Sequence, residues 1–380
     1  MFIRLYQLLI KYIQIIIMLI LIIAVIWLWH IGIYHASTSL LTLNDSQLIA
    51  FTWILCMASL SFVIMSIIVN LVYTKIWSRL YTASAVWMGT RYWLCIASAI
   101  TLVLISINTR LGWNIPVMIV GRFLMLLALC ISAYGIWNGN QTKIVHYTVP
   151  MRNLPDQREG RKIAMIADTH VWVVRNVWLL HRIRPQIEAE WVEMLLVAGD
   201  YWDGPKANDV ELAQALAEIK TPHGTYFAPG NHESYGGTNR YLKTLEQAWI
   251  HTLNDKVVDI DGLQIIGVDY SYTITQDVFA TTLDTLTRDR SQPSILIKHI
   301  PSHVDVVNEF GIDLQVAWHV HQWQVRPWSI PARWVYGPFA YGLNQIGRSW
   351  IITTSGVGTR WPPQRVGTQS EIVIITLVKK

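Results

Sequence analysis

The chain has 380 residues, of which 52% are hydrophobic and only 14% charged, with a formal net charge of +5. That length accommodates roughly two or three domains, and the apolar excess excludes a single ordinary soluble domain. The small positive balance sits beside the apolar segments, where it suits anionic lipid better than nucleic acid. No RNA-binding signature, heptad or internal repeat is present.

The first 140 residues form one segment, in which runs of about twenty apolar residues recur, the length needed to cross a bilayer. Four spans are expected: Leu8–Leu28, Leu48–Tyr73, Tyr92–Ile107 and Val117–Trp137. The third is short and the fourth carries Arg122. No small-residue cleavage site follows the first span, which argues against a removable signal peptide. Arg4 and Lys11 precede the first span, and the loop from His30 to Gln47 has no Lys or Arg. Lys75, Arg79 and Arg91 mark the second loop, and Lys143, Arg152, Arg158, Arg161 and Lys162 follow the last span. By the positive-inside bias both termini are cytoplasmic. Cys56, Cys95 and Cys130 all fall within spans, so they supply neither a disulfide framework nor a thiolate metal site to the rest of the chain.

Residues 141–160 read as a juxtamembrane linker, and residues 161–380 as a second domain of about 220 residues, ample for one core. Its candidate strands are Ile163–Ala167, Met194–Ala198, Thr225–Ala228, Gln264–Val268, Ile295–Lys298, Leu314–Ala317, Trp350–Thr354 and Ile372–Leu377. The candidate helices are Val177–Glu190, Asp209–Ile219, Asn239–Gln247 and Thr282–Arg288. Strands alternating with helices give an α/β layered domain.

Five of those strands run into polar, metal-competent groups at their C-terminal ends. IAMIADTH ends in Asp168 and His170, and MLLVAGDYWDG in Asp200, with Asp203 beyond. TYFAPGNHES ends in Asn231, His232 and Glu233, SILIKHIP in His299, and LQVAWHVHQ in His319 and His321. Open α/β sheets place ligand sites at that edge, and strand residues two apart face one side. Imidazole, carboxylate and amide donors without thiolate suit two divalent ions, Mn, Fe or Zn, which in two-metal sites lie about 3.5–4 Å apart. Any one segment has a bland explanation in strand-to-turn chemistry. The five together do not.

These segments, D168-x-H170, G199-D200-x-x-D203, G230-N231-H232-E233, H299 and H319-x-H321, resemble the signature of the calcineurin-like metallophosphoesterases. The tail from YGPFAYGLNQ to EIVIITL is similar to that of a bacterial membrane-associated branch related to UDP-2,3-diacylglucosamine hydrolases. The resemblance implies a four-layer α/β/β/α sandwich. It also implies that Asp168, His170 and His321 hold one metal ion and Asn231, His299 and His319 the other, with Asp200 bridging. His232 would stand beside the scissile phosphate, and Glu233 would orient it. Attack would come from a metal-activated hydroxide.

Tryptophan departs from that pattern. Trp172, Trp249, Trp318 and Trp323 stand where the family usually has glycine or another small residue. Three explanations stay open: an enlarged apolar wall, a crowded and impaired metal site, or glycine codons read as tryptophan. Downstream, Arg365 is a candidate phosphate ligand, with Glu371 as an alternative partner, and Gly356 and Gly358 either line the cleft or form a turn.

The expected function is hydrolysis of a phosphodiester or pyrophosphate bond by a membrane-anchored, cytoplasm-facing enzyme. Its partners would be the bilayer and a phosphoester substrate, the lipid-linked kind fitting a tethered site best. The alternative is a non-catalytic membrane module with a structural or sensing metal site. A transporter fits less well, because Arg91 and Arg122 alone do not sketch a substrate path.

Overall fold

A computed structural model of the chain describes residues 2–204, 208–319, 321, 324–326 and 329–380. The chain divides into two compact units, Met1–Tyr134 and Gly135–Lys380.

The first unit is built from helices α1 (Phe2–Leu40), α2 (Asp45–Leu71), α3 (Lys75–Leu111) and most of α4 (Val117–Gly139). All four are long and apolar enough to cross a membrane. Each is longer than the span expected from hydropathy, because helix continues into polar ends that the apolar window does not count. Asn44 caps α2 and pairs with Gln47 in a capping box. Arg91 is buried and its Nη1 donates to Ser59 O at 3.1 Å, while Arg122, more exposed, donates from Nε to Leu40 O at 2.9 Å. Leu40 closes α1 and Ser59 lies within α2, so each cation meets a backbone carbonyl dipole. The three cysteines are free thiols.

The second unit holds two six-stranded mixed sheets. Its strands are β1 (Thr142–Met151), β2 (Lys162–Ile166), β3 (Met194–Val197), β4 (Thr225–Phe227), β5 (His251–Thr252), β6 (Lys256–Ile260), β7 (Leu263–Gly267), β8 (Ser294–Ile297), β9 (Leu314–Ala317), β10 (Gly342–Ile346), β11 (Ser349–Thr353) and β12 (Ser370–Lys379). One sheet runs β1-β12-β2-β3-β4-β5 and the other β10-β11-β9-β8-β7-β6. Within them β2 to β5 are mutually parallel, as are β7, β8, β9 and β11. The helices are α5 (Val177–Glu188), α6 (Asp209–Ala217), α7 (Asn231–Gly236), α8 (Thr238–Gln247), α9 (Gln276–Thr285), α10 (Val304–Glu309) and α11 (Ser329–Tyr336).

The period-two alternation of the strands sorts their side chains into layers. Ile163, Met165, Ala167, Leu196, Ile295, Ile297, Leu314 and Val316 meet in the core between the sheets. Ala164, Ile166, Leu195 and Val197 face the other way, against Leu180 and Ile183 of α5, Leu212 and Leu216 of α6 and Leu245 of α8. Ile266 and Leu296 turn outward onto Phe279 and Leu283 of α9 and Val306 and Val307 of α10. The result is α/β/β/α, with each fully buried aliphatic side chain contributing about 1.5–3 kcal/mol.

Short elements that the sequence reading did not single out include β5, β6, β10, α7, α10 and α11, and two stretches contradict it. Residues 142–151, expected within a linker, form β1 and pair in parallel along the whole of β12. The alternation in KIVHYTVPM is that of a half-buried edge strand, and its polar residues disguise it. The helix expected at Thr282–Arg288 instead spans Gln276–Thr285, because Thr275 and Asp277 begin it earlier and Leu286 is already extended.

Candidate metal centre

The C-terminal ends of β2, β3, β4, β8 and β9 converge, and the residues that follow them turn sharply. Asp168, His170, Asp200, His319 and His321 all have left-handed backbones, with φ between 46° and 91°. Asp and His tolerate that region better than most residues, and such conformations gather at functional sites. Glycine lets the loops approach: a Cβ on Gly199 would strike Gly230 N, and one on Gly230 would strike the Asp200 carboxylate.

Asp200 sits in the middle. Its Oδ1 accepts from His232 N at 2.8 Å, and its Oδ2 lies 3.4 Å from His299 Nε2 and 3.9 Å from His170 Nε2. On one side, His170 Nε2 stands 3.0 Å from Asp168 Oδ1 and 3.2 Å from His321 Nε2. On the other, His299 Nε2 stands 3.1 Å from Asn231 Oδ1 and 3.1 Å from His319 Nδ1. Ligand atoms of Asp168, His170 and His321, and of Asp200, His299 and His319, come within 4.8 Å of one another.

The donor chemistry shows that these groups fit cations. His299 Nδ1 is 2.9 Å from Ala198 O, which places its proton there and leaves a lone pair on Nε2. That lone pair then faces the Asn231 oxygen and the His319 nitrogen. Both Asp168 oxygens are buried without a hydrogen-bond donor among the described residues. Converging lone pairs and an orphaned buried carboxylate are costly unless a cation draws them together.

Burial dominates the electrostatics. It pushes His232 down to about 4 and His319 down to about 3, and drives His321 well below its ordinary value. Burial, with Asp200 alongside, holds the Asp168 carboxyl well above the carboxylate range. Asp200 is buried too, yet the His299, His170 and His232 imidazoles hold it below that range.

Each expected site residue has a definite place. Asp168, His170, Asp200, Asn231, His299, His319 and His321 are brought together, and His232 stands beside Asp200. Glu233 is fully buried and engaged by backbone: its carboxylate accepts from the N–H groups of Gly230, Asp200, Tyr201 and Trp202 at 2.7–3.3 Å. It pins the loops after β3 and β4 to each other. Arg365 departs from the substrate-contact expectation. Its side chain is wholly buried, and it donates to the carbonyls of His321, Ser355, Gly356 and Gly358 at 2.7–3.4 Å. A guanidinium surrounded by backbone acceptors holds a loop and does not wait for phosphate.

Two residues went unassigned in the sequence. Asp203 Oδ1 is 3.2 Å from His170 Nδ1 and 3.3 Å from His232 Nδ1. Its place four residues into GDYWD was the available signal. Arg360, whose charge acts on Asp168, His232, His319 and His321, has its N–H held by Gln324 Oε1 and its guanidinium over the Trp361 ring. Nothing in its sequence neighbourhood distinguishes it.

Of the tryptophans, Trp318 is fully buried, its ring centroid 4.0 Å from that of His321 and 5.9 Å from that of His299. It belongs to the core between the sheets, so it props the ligands from behind. Trp172 is also buried, while Trp249 is 92% exposed. Trp323 lies outside the described residues.

Comparison with known proteins agrees with this geometry. Residues 161–323 match the calcineurin-like phosphoesterase family. An "uncharacterized metallophosphoesterase" of Helicobacter pylori is 31% identical over 224 residues, 58% of this chain and 60% of that one. One from Aquifex aeolicus is 29% identical over 261 residues, 67% of this chain and 99% of that one. A "transmembrane protein with metallophosphoesterase domain" of Danio rerio is 24% identical over 271 residues, 67% of this chain and 61% of that one. The chain thus spans about 60% of the length of the Helicobacter relatives it matches.

Proposed function

The chain carries a calcineurin-like metallophosphoesterase domain, and on that premise we propose that it hydrolyses a phosphodiester or pyrophosphate bond in a lipid-linked substrate, at a two-metal centre facing the cytoplasm of a bacterial inner membrane. The observation that carries this reading is the Asp200 carboxylate, set between an Asp168–His170–His321 group and an Asn231–His299–His319 group.

Asp168, His170 and His321 would hold one ion, Asn231, His299 and His319 the other, and Asp200 both. Their oxygen and imidazole donors suit Mn, Fe or Zn. Bound divalent ions supply Lewis acidity toward a phosphoryl oxygen and lower the pKa of water. The chain supplies orientation and proton transfer. Asp203 lies 3.3 Å from His232 Nδ1, so Nε2, buried, without a hydrogen bond among the described residues and 3.9 Å from Asp200 Oδ2, is the atom left to meet the substrate. Nε2 would first take up a proton from solvent, favoured by the negative charge of a bound phosphate, and then donate it to the departing oxygen. Arg360 adds positive charge beside the site, where substrate phosphate would enter.

The lipid-linked substrate follows from tethering. Only Asn140 and Gln141 separate α4 from β1, and so short a connection raises the effective concentration of any substrate in the same membrane. Chelated full-length protein, reloaded with manganese, should cleave a lipid-linked phosphodiester faster than a soluble aryl phosphodiester. A soluble substrate turned over far faster would remove the lipid assignment. Protease digestion of the domain in inverted but not right-side-out vesicles tests the cytoplasmic orientation.

A further inference from the structure

Beside the start of α5 lies a cavity of about 450 Å³ that the metal centre does not use, lined by Asn140, Arg175, Asn176, Trp178, His181 and Arg182 among others. None of its lining residues is acidic. Arg175 is 7% exposed, and its guanidinium donates to Thr359 Oγ1 at 2.7 Å, Asn140 Oδ1 at 2.6 Å and Gly139 O at 2.8 Å. All three acceptors are neutral, so a full positive charge is buried without a counter-ion. Burial first, then the Arg182 and Arg365 charges, push it down to about 9.

Arg182 reinforces that excess. Its Nε is buried, and its guanidinium has neither a hydrogen bond nor an ion pair among the described residues. Glu218, an acid outside the lining, stands 3.7 Å from His181 Nδ1 and pairs with Arg184. A roomy site with two guanidiniums, two amides and an imidazole lacks only an anion. Guanidinium presents a planar fork matched to phosphate oxygens.

We propose that this cavity holds the phosphate headgroup of an anionic membrane lipid. The lipid, as opposed to free phosphate, is favoured by two features. Asn140 in the cavity wall is the residue directly after α4, a helix long and apolar enough to cross a membrane. Trp178, in the same wall, is 75% exposed, and indole is the side chain favoured at the membrane–water interface. Val174 and Leu179 complete the lining with apolar surface for the glycerol end of such a lipid. The site is independent of the metal ions and of turnover.

The test uses the full chain in nanodiscs of phosphatidylcholine with phosphatidylglycerol, followed by native mass spectrometry to count retained phosphatidylglycerol. Wild type and Lys220→Gln, which removes an exposed charge outside the cavity lining, should both retain it. Arg182→Gln should lower retention about tenfold, the effect of losing a charge-assisted contact, and Arg182→Lys, which keeps the charge without the fork, should fall between. Equal retention by wild type and both Arg182 variants would overturn the proposal. So would equal loss in Lys220→Gln, which would mean general charge attraction, or full displacement of the lipid by excess inorganic phosphate, which would mean a free-anion site.

Discussion

Asp203 holds His232: its Oδ1 lies 3.3 Å from His232 Nδ1, and the same oxygen lies 3.2 Å from Nδ1 of His170. One carboxylate therefore lies against both a candidate metal ligand and the candidate proton donor. Partners of this kind are worth about 10–100-fold in metal affinity or activity. Asp203→Asn should lower turnover by that order while leaving the thermal midpoint near wild type. Unchanged turnover would mean that the two imidazoles are held by their packing alone.

His232 offers the cleanest separation of catalysis from metal binding. His232→Ala should keep its manganese and lose about 10²–10⁴-fold in turnover, the range for a positioned acid or base. If turnover survives the change, the domain is better read as a structural or sensing metal module.

Metal content tests the shared position of Asp200. Full-length protein loaded with manganese and desalted should retain two ions per chain by elemental analysis. Asp200→Asn, which removes the central charge between the two groups, should retain fewer than one. Wild type holding no metal would show that Trp318, packed 4.0 Å from the His321 ring, crowds the centre.

Glu233 is expected to matter for stability. Its two oxygens accept four backbone N–H groups in a fully buried setting. Glu233→Gln turns one acceptor into a donor facing N–H groups, at a cost of about 2 kcal/mol or more. The thermal midpoint should drop in the metal-free protein as well as the loaded one. A loss of activity with no change in melting would instead assign Glu233 to the chemistry.

Trp249 stands at the residue after the cap of α8, with φ of 64° and 92% of its surface exposed. Ile250 N donates to Leu245 O at 3.0 Å, completing the helix-ending turn in which glycine is usual. Trp191, with φ of 55° and 89% exposure, repeats the geometry after α5. A left-handed non-glycine residue costs about 1–2 kcal/mol, so Trp249→Gly should raise stability by about that amount. A glycine codon read as tryptophan would leave the same geometry, and the mass of the natural protein's peptide across residue 249 distinguishes the two. A lower melting point for Trp249→Gly would show that the indole packs in solution.

Much of the fold was legible because its causes are local. Apolar runs long enough for a bilayer, and short continuous apolar runs such as Ile163–Ala167 or Ile295–Ile297, report burial directly from neighbouring residues. The polar residues at the strand ends were visible for the same reason: a parallel strand has only its C-terminal edge at which to present them. β1 was missed because an edge strand exposes half its side chains and reads as linker.

What the chain order could not disclose is which of those strand ends meet. The grouping of Asp168 with His321, 153 positions apart by their numbering, and of Asn231 with His299 depends on two sheets packing face to face. The same non-local packing decided the fate of the buried ions. Arg365 and Arg360 lie five residues apart in one loop, yet the fold encloses the first among carbonyls and leaves the second beside the candidate metal ligands. Residue type sets what a side chain can bind, but desolvation and the partners brought to it in space determine what it does bind.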